Sequence, residues 1–291
     1  MNDYLLSFLL GVIEGLTEFL PVSSTAHLRV AEAMLGVSLS DGYWKMYAIV
    51  IQLGAILSLP VYFRARIREL VANFPRGREG DRTWMSHPLS LTFLAFLCTA
   101  VPSLMLTKVI GKHLESLTVM AWALIVGGAV MWMVDVWHER RGSGGIADLQ
   151  EMRTGQAVWI GLCQTLAAVF PGVSRSMATI AAGQLGGMTR SAALEFSFFL
   201  SIPTMVAATG FDLIQALRPV AEGAASPLGS AEMDAHRWMV LGVGFAVSFL
   251  VALGVVAWFM RWVRQHGFVP FAIYRILAGA LVLAWAMRGG Q

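Results

Sequence analysis

The chain has 291 residues, of which 57% are hydrophobic and only 13% charged, with a formal net charge of +3. Soluble domains carry about 25% charged residues; with half that share and a mean hydropathy of +0.66, most of this chain must have lipid as its solvent. The sequence pI near 9.1 does not point to nucleic acid, because the basic residues lie mainly in short loops between apolar runs, with no basic patch interleaved with aromatics.

The first apolar region, about 4–36, lacks the basic leader and small-residue cleavage site of a signal peptide, so it is expected to belong to the mature protein. It is broken at Pro21-Val22-Ser23-Ser24-Thr25. Three full-length apolar runs follow, at about 45–63, 89–110 and 117–137. A second broken region covers about 156–187, interrupted at Pro171-Gly172-Val173-Ser174-Arg175-Ser176. Three more runs complete the chain, at about 191–213, 238–260 and 268–288. Each half of a broken region is about 14–17 residues, and at ~1.5 Å per residue this falls short of the ~30 Å hydrocarbon core. A proline at each break removes a backbone donor. The expected fold is therefore an all-α polytopic membrane protein with six transmembrane helices and two re-entrant helix–loop–helix hairpins. The competing count is ten short full spans. Cys98 and Cys163, inside apolar stretches, read as small buried residues rather than a disulfide or metal site.

Basic residues set the orientation. Loop 64–88 carries Arg64, Arg66, Arg68, Arg76, Arg78 and Arg82; loop 138–155 adds Arg140, Arg141 and Arg153; the loop near 261–267 adds Arg261 and Arg264. These three are expected to be cytoplasmic. Loops 108–116 and 214–237 carry two basic residues each, the second offset by Glu222, Glu232 and Asp234, and are expected outside.

A shift of 150 residues aligns the two broken regions without a gap, pairing Gly11 with Gly161, Leu16 with Leu166, Pro21 with Pro171 and Ser24 with Ser174; Glu14 meets Gln164. Three spans separate the regions, so the second enters from the opposite side. The whole chain then reads as one membrane domain of two inverted-topology repeats, about 4–137 and 156–288, joined by a cytoplasmic connection at about 138–155. Paired interrupted helices of this kind mark a site near the bilayer midplane.

The first break, GVIEGLTEFLPVSSTAHL, places Glu14 and Glu18 one turn apart on one helix face. Two carboxylates in a membrane are costly and need a cation or shared proton; Mg²⁺ or Ca²⁺ suits them. Ser23, Ser24 and Thr25 read as an N-cap cluster, with His27 in the first turn. Such a helix start attracts anions, and a hydroxyl, an imidazole and carboxylates together suit phosphoryl transfer to water. The second break, FPGVSRSMATI, offers Ser174, Ser176 and Arg175, with Thr179 on the same face as Arg175. Arg175 reads either as a phosphate clamp or as a structural ion pair with Glu14 or Glu18. Gln52, a lone amide in an apolar run, reads as helix-packing glue or as a further substrate contact.

These two motifs, with IQLGAIL at 51–57, EFSFFLSIP at 195–203 and FVPFAIYR at 268–275, closely resemble the undecaprenyl-diphosphatase (bacitracin-resistance) family. The resemblance implies a bacterial inner-membrane enzyme that converts undecaprenyl diphosphate to the monophosphate, recycling the lipid carrier of peptidoglycan synthesis and conferring bacitracin resistance. It implies six spans, two re-entrant hairpins and a site open to the periplasm. The family's glutamate pair maps onto Glu14 and Glu18, its serine–histidine cluster onto Ser24 and His27, and its phosphate-binding arginine onto Arg175. Ala26 and Met177 stand where the family usually has glycine, and Met177 is expected to narrow the pocket. The expected mechanism has Glu14 and Glu18 holding the divalent cation, Arg175 binding the terminal phosphate, Ser24 attacking it or positioning water, and His27 moving the proton. The expected partners are the bilayer and the polyprenyl diphosphate, with a homodimer one arrangement the sequence allows, and no nucleic acid. The rival is an ion-coupled transporter or flippase of an anionic lipid or phosphate, which would need no nucleophile.

Overall fold

The computed structural model describes residues 2–37, 42–106, 116–142, 144–217 and 233–288. The described residues form eleven α-helices in chain order: α1 (Asp3–Thr17), α2 (Ser24–Met34), α3 (Gly42–Tyr62), α4 (Arg64–Ala72), α5 (Pro88–Met105), α6 (Leu117–Arg140), α7 (Thr154–Val169), α8 (Arg175–Leu185), α9 (Arg190–Leu217), α10 (Ala235–Trp262) and α11 (Val269–Met287). Six of them, α3, α5, α6, α9, α10 and α11, are long and apolar enough to cross a membrane, and they are the six runs expected from hydropathy. The protein is an all-helical, multi-pass membrane protein. Helix α4 was not expected; it occupies the start of loop 64–88, where Arg66 and Glu69 pair at i,i+3 and Leu70 buries itself.

The arginine-bearing loops gather at one end. Arg66 joins Glu69 at 2.9 Å, Asp148 at 2.5 Å and Glu195 at 3.0 Å, tying α4 to the 138–155 connection and to the start of α9. Asp135, fully buried near the end of α6, accepts from Arg190 at 2.8 Å, Gln184 at 3.0 Å and the Phe268 N–H at 2.8 Å. At the other end Asp3 meets His236 at 3.1 Å, and Tyr43 donates to the Arg237 carbonyl at 3.0 Å. Loops 108–116 and 214–237, expected at that end, fall largely outside the described residues.

Glycines set the close approaches. In lipid no hydrophobic force drives helix against helix, so small residues that let backbones touch carry the association. Gly11 and Gly15 of α1 meet Gly244 and Ser248 of α10; Gly161 of α7 meets Ala95 and Cys98 of α5; Gly128 of α6 and Gly279 of α11 face each other's helices. Cys98 and Cys163 are free thiols.

A Cβ at Gly15 would sit 2.8 Å from the Ser248 carbonyl and 2.8 Å from Val251 Cβ. Gly15→Leu is therefore expected to lower the unfolding midpoint in detergent, at a cost of about 1–3 kcal/mol; an unchanged midpoint would mean that α1 and α10 do not pack this way. The ion cluster makes a second prediction. Hydrogen bonds from Arg78 and Arg66 hold the Glu69 carboxyl below its ordinary range. Burial pushes the Asp148 carboxyl up, but bonds from the Gln150 N–H and Arg66 outweigh it and leave it low. Carboxyls depressed in the fold stabilise it above their unfolded pKa values, about 4, and that contribution fades as pH falls through the lower folded values. The stability gap between wild type and Arg66→Met should therefore be widest near neutral pH and should shrink progressively below about pH 4.

Candidate functional site

Each broken region is a pair of short helices joined by a tight turn. Helix α1 ends at Thr17, the chain turns through Glu18–Ser23, and α2 begins at Ser24. Helix α7 ends at Val169 and α8 begins at Arg175. Both second helices start from a serine N-cap held at φ 73°, Ser23 and Ser174, whose hydroxyls accept from the N–H groups of Ala26 at 3.5 Å and Met177 at 3.4 Å. Left-handed backbone at a non-glycine residue costs on the order of 1–3 kcal/mol and persists only where its surroundings enforce it. The caps are 151 residues apart, one more than the gapless alignment. Structurally Ser23 matches Ser174, and Ser24 matches Arg175 as the first residue of its helix. The extra residue lies between proline and cap, Pro171–Ser174 against Pro21–Ser23, a stretch that includes Gly172, at φ 96° and against the Met120 backbone.

The two turns are bound together. Ser176 Oγ donates to the Leu20 carbonyl at 3.0 Å. Arg275 of α11, with no exposed surface, donates to the Pro21 carbonyl at 2.9 Å and to the Gly172 and Val173 carbonyls at 3.0 and 2.9 Å, with a further bond to Ala123. Sequence reasoning gave Arg275 no role. The signal was there: an arginine in the interior of the apolar run 268–288, with no carboxylate within a helical turn.

A cavity of about 240 Å³ opens where the turns meet, lined by the first residues of α2 and α8 and by α3, α5, α7 and α9. Inside it Ser24 Oγ donates to Glu18 Oε2 at 2.5 Å, and Arg175 Nη2 donates to Glu18 Oε1 at 3.1 Å. Arg175 thus pairs with Glu18 and still lines the cavity, while its buried Nη1 has no hydrogen-bond partner. Ser23, Thr25, Ser174 and Gln52 also line it. So does a polar group not singled out from sequence as a site: Gln164 donates to Thr99 at 3.0 Å and Thr204 at 3.1 Å, leaving its own carbonyl oxygen unpartnered. Two helix N-termini and a guanidinium make a setting that suits an anion, beside a hydroxyl already bonded to a carboxylate.

Other expected residues sit elsewhere. Glu14 is fully buried with neither carboxylate oxygen partnered, and lines an adjoining cavity shared with Ser24, Thr25 and Gln52. His27 lies outside the main cavity: its Nδ1 is 2.7 Å from the Ser23 carbonyl, its Nε2 is 2.6 Å from the Tyr274 hydroxyl, and the two rings stack. Thr179 bonds to the Arg175 and Ser176 carbonyls and to Ser197, and Ser176 serves the turn-to-turn bond, so neither lines the cavity. Met177 does not narrow it: the side chain points to Gly127 and lines an apolar groove with Trp122, Phe170 and Val173. Among the described residues no three His, Cys, Asp or Glu side chains cluster to hold a metal. Glu14 nevertheless fits one, since its two buried, unpartnered oxygens call for a cation, with Glu18 one turn away.

The bacitracin resistance protein BacA family model matches residues 7–281. An undecaprenyl-diphosphatase of Koribacter versatilis is 64% identical over 99% of this chain and 100% of its own length. Similar proteins of the same name from Sorangium cellulosum (46% identical, 94% of this chain and 84% of the relative) and Caldanaerobacter subterraneus (39%, 95% and 94%) also align nearly end to end.

Arg275 serves four carbonyls. Arg275→Met would orphan them at about 1–3 kcal/mol each where no water reaches, so a large fall in the unfolding midpoint is expected, with Arg275→Lys falling between. A midpoint within a degree or two of wild type would remove Arg275 from its role as the tie between the turns.

Proposed function

The chain belongs to the bacitracin resistance protein BacA family, and from that premise we infer that it is an undecaprenyl-diphosphatase, hydrolysing undecaprenyl diphosphate to undecaprenyl phosphate and inorganic phosphate. The activity regenerates the lipid carrier of cell-wall synthesis and accounts for bacitracin resistance, since removing the diphosphate removes the antibiotic's target. The observation that carries the mechanism is the Ser24–Glu18–Arg175 chain of hydrogen bonds at a cavity bounded by two helix starts.

In this reading the terminal phosphate lies against the free Nη1 of Arg175 and the N–H groups of α2 and α8. Ser24 Oγ attacks its phosphorus while Glu18 Oε2, 2.5 Å away, takes the hydroxyl proton. The bond to the bridging oxygen breaks and undecaprenyl phosphate leaves. Glu18 passes that proton to the departing monophosphate; water then attacks the phosphoserine, Glu18 takes the water's proton and returns it to Ser24 Oγ, and phosphate is released. In the one-step variant Ser24 only orients that water. The reading moves proton transfer from His27 to Glu18, because both ring nitrogens of His27 already have partners in Ser23 and Tyr274; His27 holds the backbone of the cap. Ser174, Ser23, Thr25 and Gln52 line the phosphate chamber, while Ser176 and Thr179 hold its wall. A divalent cation, Mg²⁺ or Ca²⁺, would be held by Glu14 and Glu18 and would neutralise charge on the diphosphate.

The same reading keeps the broken regions as re-entrant hairpins in inverted repeats. Its support is that α1 begins beside α10's start and α2 ends near Tyr43 and Tyr47 at one end, while α7 begins and α8 ends together at the other, Gln156 bonding the Gly186 carbonyl at 2.6 Å. The positive-inside rule places the arginine end in the cytoplasm of a bacterial inner membrane. Thr204, Met205 and Ala208, in the far half of α9, line the cavity, which favours a periplasmic opening.

Ser24→Ala, Glu18→Gln and Arg175→Ala are each expected to cut phosphate release from undecaprenyl diphosphate by ~100-fold or more in purified protein, with folding retained. His27→Ala should lose less activity and more stability. A fully folded His27→Ala as inactive as Ser24→Ala would return the proton to His27, and a fully active Ser24→Ala would end the nucleophile assignment.

A further inference from the structure

We propose that the second polar cavity is an acidic vestibule through which a divalent cation reaches Glu14 from the end of the molecule opposite the arginine loops. It measures about 240 Å³ and shares Ser24, Thr25 and Gln52 with the reaction cavity, so the two chambers meet at the nucleophile. Thr25, Leu28, Arg29 and Glu32 form one wall, at the i, i+3, i+4, i+7 spacing of a single face of α2. Asp212 of α9, an exposed carboxylate, stands at its rim. At its base is Glu14, fully buried, both oxygens without a partner.

Charge decides what such a passage admits. Glu14, Glu32 and Asp212 face one guanidinium, Arg29, which is already 3.3 Å from Glu32. The balance is negative, and low-dielectric walls focus the field of such a cleft. A diphosphate or phosphate anion is repelled and a hydrated divalent cation drawn in. The three carboxylates do not cluster closely enough to form a metal site of their own, so they conduct the ion and leave coordination to Glu14 and Glu18. The lipid headgroup, by contrast, meets the main cavity, where Arg175 and two helix starts favour anions. Cation and lipid thus reach the nucleophile from different chambers.

The inference rests on the reading of Glu14 and Glu18 as cation ligands, and the test separates the two. Mn²⁺ binding to the purified full-length protein is followed by electron paramagnetic resonance, and the Mg²⁺ needed for half-maximal phosphate release is measured in parallel. The double variant Glu32→Gln/Asp212→Asn is expected to weaken Mn²⁺ binding and raise the Mg²⁺ requirement roughly tenfold at low salt, with the difference shrinking as ionic strength rises. Activity at saturating Mg²⁺ and the KM for undecaprenyl diphosphate should stay at wild-type values. Asp212→Asn alone, at an exposed position, should give part of the shift without touching the fold. If the double variant binds Mn²⁺ as tightly as wild type while Glu14→Gln abolishes binding, the vestibule is wrong and the ligand reading stands. If wild type releases phosphate in excess chelator and binds no Mn²⁺, the ligand reading falls and takes the vestibule with it.

Discussion

One buried cation holds this molecule's site in place. The two turns that break α1–α2 and α7–α8 expose backbone carbonyls deep within the protein, where no bulk water can satisfy them. Arg275 satisfies three of those carbonyls with one guanidinium, reaching Pro21 on the first turn and Gly172 and Val173 on the second. Among the described residues it has no carboxylate partner; its counter-charge is a set of carbonyl dipoles. That arrangement suits a point where two helix N-termini converge, because the cation sits on the carbonyl side of the turns and leaves their N–H groups to face the cavity. The left-handed backbone of Ser23 and Ser174 is kept in place by the same tie.

With the turns fixed, the near-symmetry of the two regions becomes a division of labour. The residue after each cap is the first of its helix, and at that shared position one region has Ser24 and the other Arg175. One supplies the hydroxyl and the other the charge. Glu18 lies between them, bonded to both. Gln164 stands at the alignment position of Glu14, and in place of a carboxylate that needs a cation it has an amide bonded to Thr99 and Thr204. The pseudo-symmetric site is therefore polar on both sides but anionic on only one.

Much of this was legible in the sequence because membrane physics makes it so. The six spans follow from hydropathy over stretches long enough to cross lipid, and the breaks follow from proline and polar residues where neither belongs. The Glu18–Arg175 contact was one of two readings open for Arg175. The rest depended on distances the sequence does not hold. The gapless shift paired Ser24 with Ser174, whereas the caps pair Ser23 with Ser174, because the second turn has one residue more between its proline and its cap. His27, three residues past Ser24, has both ring nitrogens bonded outside the cavity, to the Ser23 carbonyl and the Tyr274 hydroxyl. Met177 is likewise three residues past its cap and faces Gly127. Arg275 stands out in the sequence as a lone charge in an apolar run, but what it binds does not, because its partners are carbonyls more than a hundred residues away.

The same helical arithmetic explains why a substrate with a charged head and a long apolar tail can be handled by one set of turns. Successive residues of the second turn face different media. Pro171, Gly172 and Ser174 line the polar cavity, while Phe170, Val173 and Met177 line the apolar groove beside α6. The alternation separates anion-binding and lipid-compatible surfaces by the thickness of one chain. Bulk on the groove face, such as the Met177 side chain, changes the apolar groove without removing any group from the polar cavity. Substitutions on the cavity face cannot be so neutral: each of those residues is a cap, a donor or a turn position on which the geometry of Ser24, Glu18 and Arg175 depends.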